Sequence, residues 1–311
     1  MKNCAVIGAG MAGLSAAAEL KRAGVETVVF EKSRGLGGRL ATRRFAAGSA
    51  DHGAQYVTAR DERFQALMQQ TVFAGHATGW APAGKIGNEP WLVGLDGMSG
   101  LVRPLAGGLE IVRQTQIERI GTTSEGYALQ SDRGPQGPFD AVIVAVPAPQ
   151  AGPLLKAHGR PFDEISAARL QPTLTGLFAF DGPVPLDNDF HPEPAAGIAT
   201  AVRNSSKPGR NGAECWIVHA SHDWSRHNLE ADRDEIAAKV LDVFRRLAGD
   251  LPPLVWQSGH RWRHAAVEVS LGAPCLVAGD RRLAACGDWC LGPRVEAAFL
   301  SGHAAARALL D

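Results

Sequence analysis

No apolar run in this chain approaches the length of a membrane-crossing helix, so no spanning segment is expected. Cysteine is scarce as well: five residues, an odd number, with no CxxC pair. That leaves neither a disulfide framework nor a zinc set to organise the fold, and it suits reduced thiols. Cys286 and Cys290 stand four apart without a second pair to complete a metal site. Net charge is missing too, because 32 basic residues balance 32 acidic ones. Such a balance gives no electrostatic basis for nucleic acid or an acidic membrane surface as a partner. Tyrosine is nearly absent, with only Tyr56 and Tyr127. The alanine-rich start could be read as a secretion signal, but cleavage there would remove Gly8, Gly10 and Gly13, a glycine-rich turn. A soluble, cytoplasmic protein is therefore expected. Its length of 311 residues suffices for one large core or two domains.

What the chain does have is concentrated at its start. An apolar run, residues 4–7, leads into Gly8-Ala9-Gly10-Met11-Ala12-Gly13. A helical pattern follows over 14–23, and a second apolar run over 25–30 ends at Glu31. Strand, GxGxxG turn, helix, strand and acid about twenty residues on make the βαβ dinucleotide fingerprint. Gly8 provides the tight turn, Gly10 admits a pyrophosphate to the backbone, and Gly13 lets helix and strand approach. Glu31 is placed for a ribose hydroxyl. The helix N-terminus offers free N–H groups and the positive end of its dipole to phosphates.

A second glycine-rich turn follows, KSRGLGGR, with Arg34 and Arg39 around Gly35, Gly37 and Gly38. This turn, the segment Asp51-His52-Gly53-Ala54-Gln55-Tyr56 and the closing stretch from Gly287-Asp288 to the last helix resemble the flavin amine oxidase superfamily. Within it, GAQYVT at 53–58, IVH at 217–219, WRH at 262–264 and the closing GDW…RVEAAF…SG resemble the renalases over nearly the whole chain. The resemblance implies an α/β, two-domain, FAD-binding Rossmann-type fold of amine oxidase-like, p-hydroxybenzoate hydroxylase-like topology, with a mixed-sheet substrate domain. It implies FAD contacts at Gly8, Gly10, Met11, Ala12, Gly13, Glu31, Lys32, Gly38 and Arg39. Others fall at Ile117, where an adenine meets the backbone, and at Gly287, Asp288, Arg294, Val295 and Ala298. Cys290 is offset from the cysteine that monoamine oxidases use for covalent flavin, so the FAD is expected to be non-covalent.

Along the chain, residues 63–73 carry a helical stripe best read as core. Residues 76–90 read as loop or irregular strands. The run 108–120 alternates as a strand, and the apolar run 139–146 suits a buried parallel strand. Strands are expected at 174–180, 215–219 and 255–264, with an amphipathic helix over 231–247. The FAD domain is placed at 1–65, 101–150 and 270–311, and the substrate domain at 66–100 and 151–269.

Two clusters invite chemistry. His219, His222, Asp223 and His227 are split between a strand end and a loop, which fits loop polarity and helix capping by Ser225 or Asn228 better than metal ligation. Arg261-Trp262-Arg263-His264 can be a surface strand with snorkelling arginines. Alternatively, it sets Trp262 or His264 over the flavin, with an arginine for an anionic group. Gln55 either packs its turn or faces the flavin. A lysine near the flavin, usual in amine oxidases, has no counterpart, since only Lys207 and Lys239 occur after Lys156. The renalase resemblance implies oxidation of 2- or 6-dihydro-NAD(P) to NAD(P)+. Hydride passes to FAD and dioxygen is reduced to hydrogen peroxide. For this reaction His264, Trp262, His219 and Gln55 are the expected ring-pocket residues, with Arg261 or Arg263 available to the substrate phosphates. A flavin-dependent amine oxidase is the alternative.

Overall fold

The computed structural model describes residues Met1–Asp311. Its first layer is a six-stranded sheet in the order Leu276–Val277, Leu283–Ala285, Ala141–Val144, Asn3–Ile7, Glu26–Glu31, Glu110–Arg113. All neighbours pair parallel except the first two. The continuous apolar runs explain this: a strand in a parallel sheet is covered on both faces, so every side chain is buried. Ile143 points into one apolar core and Val142 and Val144 into the other, all at 0% exposure. Helix Met11–Arg22 packs on one face beside the last helix, Val295–Leu310, where Ser15 donates to the Phe299 carbonyl at 2.8 Å. A three-stranded antiparallel sheet, Ile117–Thr123, Gly126–Ser131 and Gly134–Phe139, extends the same lobe.

The second lobe is a five-stranded sheet in the order Phe190–Ala195, Ile198–Arg203, Glu214–Ala220, Arg169–Phe180, Leu254–Val269. Every pairing in it is antiparallel, so the mixed character lies in the first sheet, at its Leu276–Val277 edge. Helix Arg233–Ala248 covers one face, burying Ile236, Val240 and Phe244. Against the other face lies the hairpin Thr42–Phe45 with Gly48–Asp51, whose Phe45 stacks on Trp256 at 4.0 Å.

The lobe boundaries differ from the spacing-based expectation. Residues 66–100, assigned to the substrate domain, bridge the lobes: Leu67 and Met68 join the core shared with helix Met11–Arg22, while Trp91 meets Phe190 at 4.9 Å and Trp80 donates to Ser206 Oγ at 3.3 Å. Residues 151–168 send Leu155, Phe162 and Ile165 to the other face of the parallel sheet. Periodicity tells which face of an element is apolar but not which lobe it covers. The helical stripe at 63–73 forms helix Glu62–Phe73, with Phe64, Leu67 and Met68 buried and Val72 exposed, and it packs on the parallel lobe, where Phe64 lies 5.3 Å from Phe299.

Candidate functional site

The carboxyl ends of four parallel strands converge. Asn3–Ile7 runs into Gly8, Glu26–Glu31 ends on its acid, Ala141–Val144 runs into Ala145 and Val146, and Leu283–Ala285 leads to Gly287 and Asp288. This is where open α/β sheets bind ligands. A cavity of about 1770 Å³ starts there and extends to the antiparallel sheet. It exceeds the roughly 300–1,000 Å³ of an ordinary ligand pocket. A dinucleotide cofactor and a second molecule can therefore share it.

The turn is shaped for phosphate. Gly8 sits at φ +105°, a conformation that L side chains rarely adopt. A Cβ on Gly13 would come within 1.9 Å of the Gly8 carbonyl, whereas one on Gly10 would meet only open space, where a ligand can approach. Glu31 braces the turn: one carboxylate oxygen accepts from Ala9 N–H at 2.9 Å and the other from Ser33 N–H at 2.7 Å. Each oxygen keeps a lone pair for a ribose hydroxyl. Arg39 and Asp288, both expected at cofactor phosphates and ribityl, are joined to each other by two bonds of 2.7 Å. Every expected cofactor residue borders the cavity except Gly13, which packs behind the turn.

The far end is built by the Leu254–Val269 strand. Alternation puts Trp256, Ser258, His260, Trp262 and His264 on the side facing the parallel lobe. Trp262 donates from Nε1 to the His52 carbonyl at 2.7 Å, and its ring lies 5.3 Å from that of His52. His52 and His260 meet edge to face at 4.5 Å. His219 reaches the same wall from strand Glu214–Ala220, with Thr200 Oγ1 3.2 Å from its Nδ1.

Burial pushes His52, His219 and His260 down, to about 4, about 4 and about 3. The Arg43 guanidinium adds to the effect on His52 and His260. His264 is lowered as well, by burial and then by Arg263. These imidazoles are neutral at pH 7 and poorly suited to donating protons.

Two expectations are not met by the geometry. Gln55 does not border the cavity. Its Nε2 donates to the carbonyls of Asp51 and Gly53, its Oε1 accepts from Lys207 at 2.9 Å, and it lies 3.5 Å behind His219. The backbone turn at Gly53 directs it inward. Arg261 and Arg263 reach the rim, but strand alternation sends their guanidiniums away from Trp262, and Glu230 holds both. The capping expectation is also refined: Ser221 caps helix His222–His227, while Ser225 accepts from Leu174 N–H.

Sequence reasoning passed over His260 and Arg43, which line the cavity, and Lys207, which does not. Lys207 is 2% exposed. It and Arg210 share the buried Asp51 carboxylate, at 3.1 and 2.8 Å. Burial lowers Lys207 to about 8 although Asp51 opposes the shift. The period-2 alternation through 256–264 was a usable signal for His260. The loop KPGRNG gave none for Lys207, because polar loop residues are ordinarily exposed.

Two family models cover the chain: an NAD(P)-binding Rossmann-like domain over residues 6–71 and flavin containing amine oxidoreductase over 74–310. The chain belongs to the flavin-containing amine oxidoreductase family. AofH of Mycobacterium tuberculosis, named as a flavin-containing monoamine oxidase, is 45% identical over 65 residues, which are 21% of this chain and 14% of that protein. The match thus spans about one seventh of that relative. Among solved structures, a protein from Exiguobacterium sp. 255-15 described as a protoporphyrinogen oxidase superposes with TM-score 0.77, at 14% identity and 98% coverage of both chains. Cyclohexylamine oxidase from Brevibacterium oxydans IH-35A superposes with TM-score 0.73, at 13% identity, covering 99% of this chain and 98% of its own. At such identities the structures share a fold. They support the two-lobed α/β architecture.

Proposed function

We propose that the protein binds FAD non-covalently and oxidises isomeric 2- or 6-dihydro-NAD(P) to NAD(P)+. FAD would supply the hydride acceptor and pass two electrons to dioxygen, which with two protons becomes hydrogen peroxide. The observation that carries this reading is the make-up of the ring end: neutral imidazoles of His52, His219 and His260 with Trp262, and no tyrosine, lysine or carboxylate lining the cavity beside them. Hydride loss from a dihydronicotinamide yields an aromatic ring and needs positioning more than proton transfer. Imidazoles that stay neutral can pack against a planar ring and fix its orientation; in this reading His264, Trp262 and His219 take that role. Eight lysines and arginines line the cavity against three carboxylates in a chain with no net charge, which favours an anionic dinucleotide over a cationic amine.

Amine oxidation is the second reading, favoured by the names of AofH and the cyclohexylamine oxidase. Anaerobic stopped-flow mixing of the flavin-loaded protein with 2-, 4- and 6-dihydro-NAD(P) and with a panel of amines separates the two. Rapid bleaching of the oxidised flavin band by a 2- or 6-dihydro isomer alone is the expected result. Bleaching by an amine alone would overturn the proposal in favour of the second reading.

A further inference from the structure

Four of the cavity's eight cations are neutralised. Arg39 is bound to Asp288, Arg294 to Glu296, and Arg261 and Arg263 to Glu230. Arg43 is different. It lies on the Thr42–Phe45 strand, where alternation turns Thr42 toward Asp51 and sends Arg43 and Phe45 against the antiparallel sheet. Its guanidinium donates from Nη1 to Ser258 Oγ, and its Nη2 lies 3.4 Å from His260 Nδ1. Both partners are neutral, and the other charged group that Arg43 feels is a second cation, Arg233. The hairpin holding it is rigidly seated, with Phe45 stacked on Trp256 at an interplanar angle of 3°.

A guanidinium has five N–H donors in a fixed plane, and two are engaged here. The rest belong to a partly buried positive charge with no counter-ion. Beside it His52, whose ring is 4.5 Å from that of His260, has a buried Nδ1 without a hydrogen-bond partner. Placing a cation against neutral imidazoles costs desolvation that an arriving anion offsets.

We infer that Arg43, oriented by Ser258 and His260, is an oxyanion-recognition residue of the cavity and receives a phosphate of the substrate. This deepens the dinucleotide reading and depends on it for the identity of the anion. The phosphate oxygens would take the free N–H donors of Arg43 and set how far the substrate ring can advance toward Trp262. Substrates without a phosphate would lose this selection.

The test uses the flavin-loaded protein and two probes. In calorimetric titration with inorganic pyrophosphate, Arg43→Gln should weaken binding by about 10- to 100-fold. Arg43→Lys, which keeps the charge but not the planar fork, should fall between Arg43→Gln and the unmodified protein. In turnover, Arg43→Gln should raise KM for the dihydro-NAD isomer by a similar factor. It should leave kcat/KM for an uncharged N-alkyl dihydronicotinamide of the same isomer within about twofold. Equal pyrophosphate affinity in all three proteins would overturn the inference, and so would an equal loss for the charged and uncharged substrates. The titration needs no turnover. If no dihydronicotinamide bleaches the flavin, the proposed activity falls, while the anion site still stands or falls on pyrophosphate.

Discussion

Arg39 and Asp288, 249 positions apart, meet in a two-pronged ion pair with both bonds at 2.7 Å. The pair fastens the second glycine-rich turn to the closing segment, so the two ends of the chain hold one rim of the cavity together. Arg39 also donates to the Ala265 carbonyl, which ties the rim to the Leu254–Val269 strand.

Breaking that pair should loosen the cofactor more than the fold. The Arg39 side chain is 30% exposed, so solvent screening limits its worth to about 1–2 kcal/mol. Arg39→Ala and Asp288→Asn should each lower flavin retention after gel filtration, and the double variant should lose no more than the worse single one. Additive losses would show that the two act independently.

The phosphate turn should tolerate nothing at position 13. A Cβ there would come within 1.9 Å of a backbone oxygen that cannot move without opening the helix from the strand. Gly13→Ala should cost roughly 2–4 kcal/mol and strip the flavin. Thermal unfolding with and without added FAD checks it, and an unchanged midpoint with full flavin content would contradict the packing argument.

The buried charge group should respond asymmetrically. Asp51 is the one anion between Lys207 and Arg210, with all three side chains at 0–1% exposure. Asp51→Asn leaves two buried cations unpaired and should cost about 3–5 kcal/mol. Lys207→Met still leaves Asp51 paired with Arg210, and should cost at most about 2 kcal/mol, chiefly for the Gln55 oxygen it deserts. Urea midpoints give the order directly, and the reverse order would refute the assignment of charges.

Acid should destabilise the protein well above the carboxylate range. His52, His219 and His260 are held at about 4, about 4 and about 3, below the 6.5 of an unfolded chain. Between those values the unfolded chain binds protons that the folded one refuses. Stability therefore falls as pH drops from 6.5 toward 4, by about 1.4 kcal/mol per pH unit for each histidine. His219→Gln should flatten the fall by about one proton's worth. A melting temperature independent of pH between 6.5 and 4.5 would mean that these rings are not buried neutral.

Legibility in the sequence followed locality. The Gly8 turn, the buried parallel strand at 141–144 and, apart from the exposed Val72, the stripe of Glu62–Phe73 are set by spacing within a dozen residues, and each was readable there. Glu31 was readable too, though its bonds to Ala9 and Ser33 add a bracing duty that spacing does not reveal. Gln55 was not: the motif marks its turn, but whether its amide faces the cavity or the core depends on Lys207, 152 residues further on.

The sequence by itself determined the nucleotide-binding βαβ unit, the family and the apolar faces of the main elements, because periodicity and glycine placement act through neighbouring backbone. Only the tertiary structure decided which lobe each face covers, that Arg261 and Arg263 turn to Glu230, and that Arg43 stands beside His260, 217 residues away. Those relations arise from two sheets packed across one cavity. Side chains there meet through the fold's geometry, which spacing along the chain does not encode.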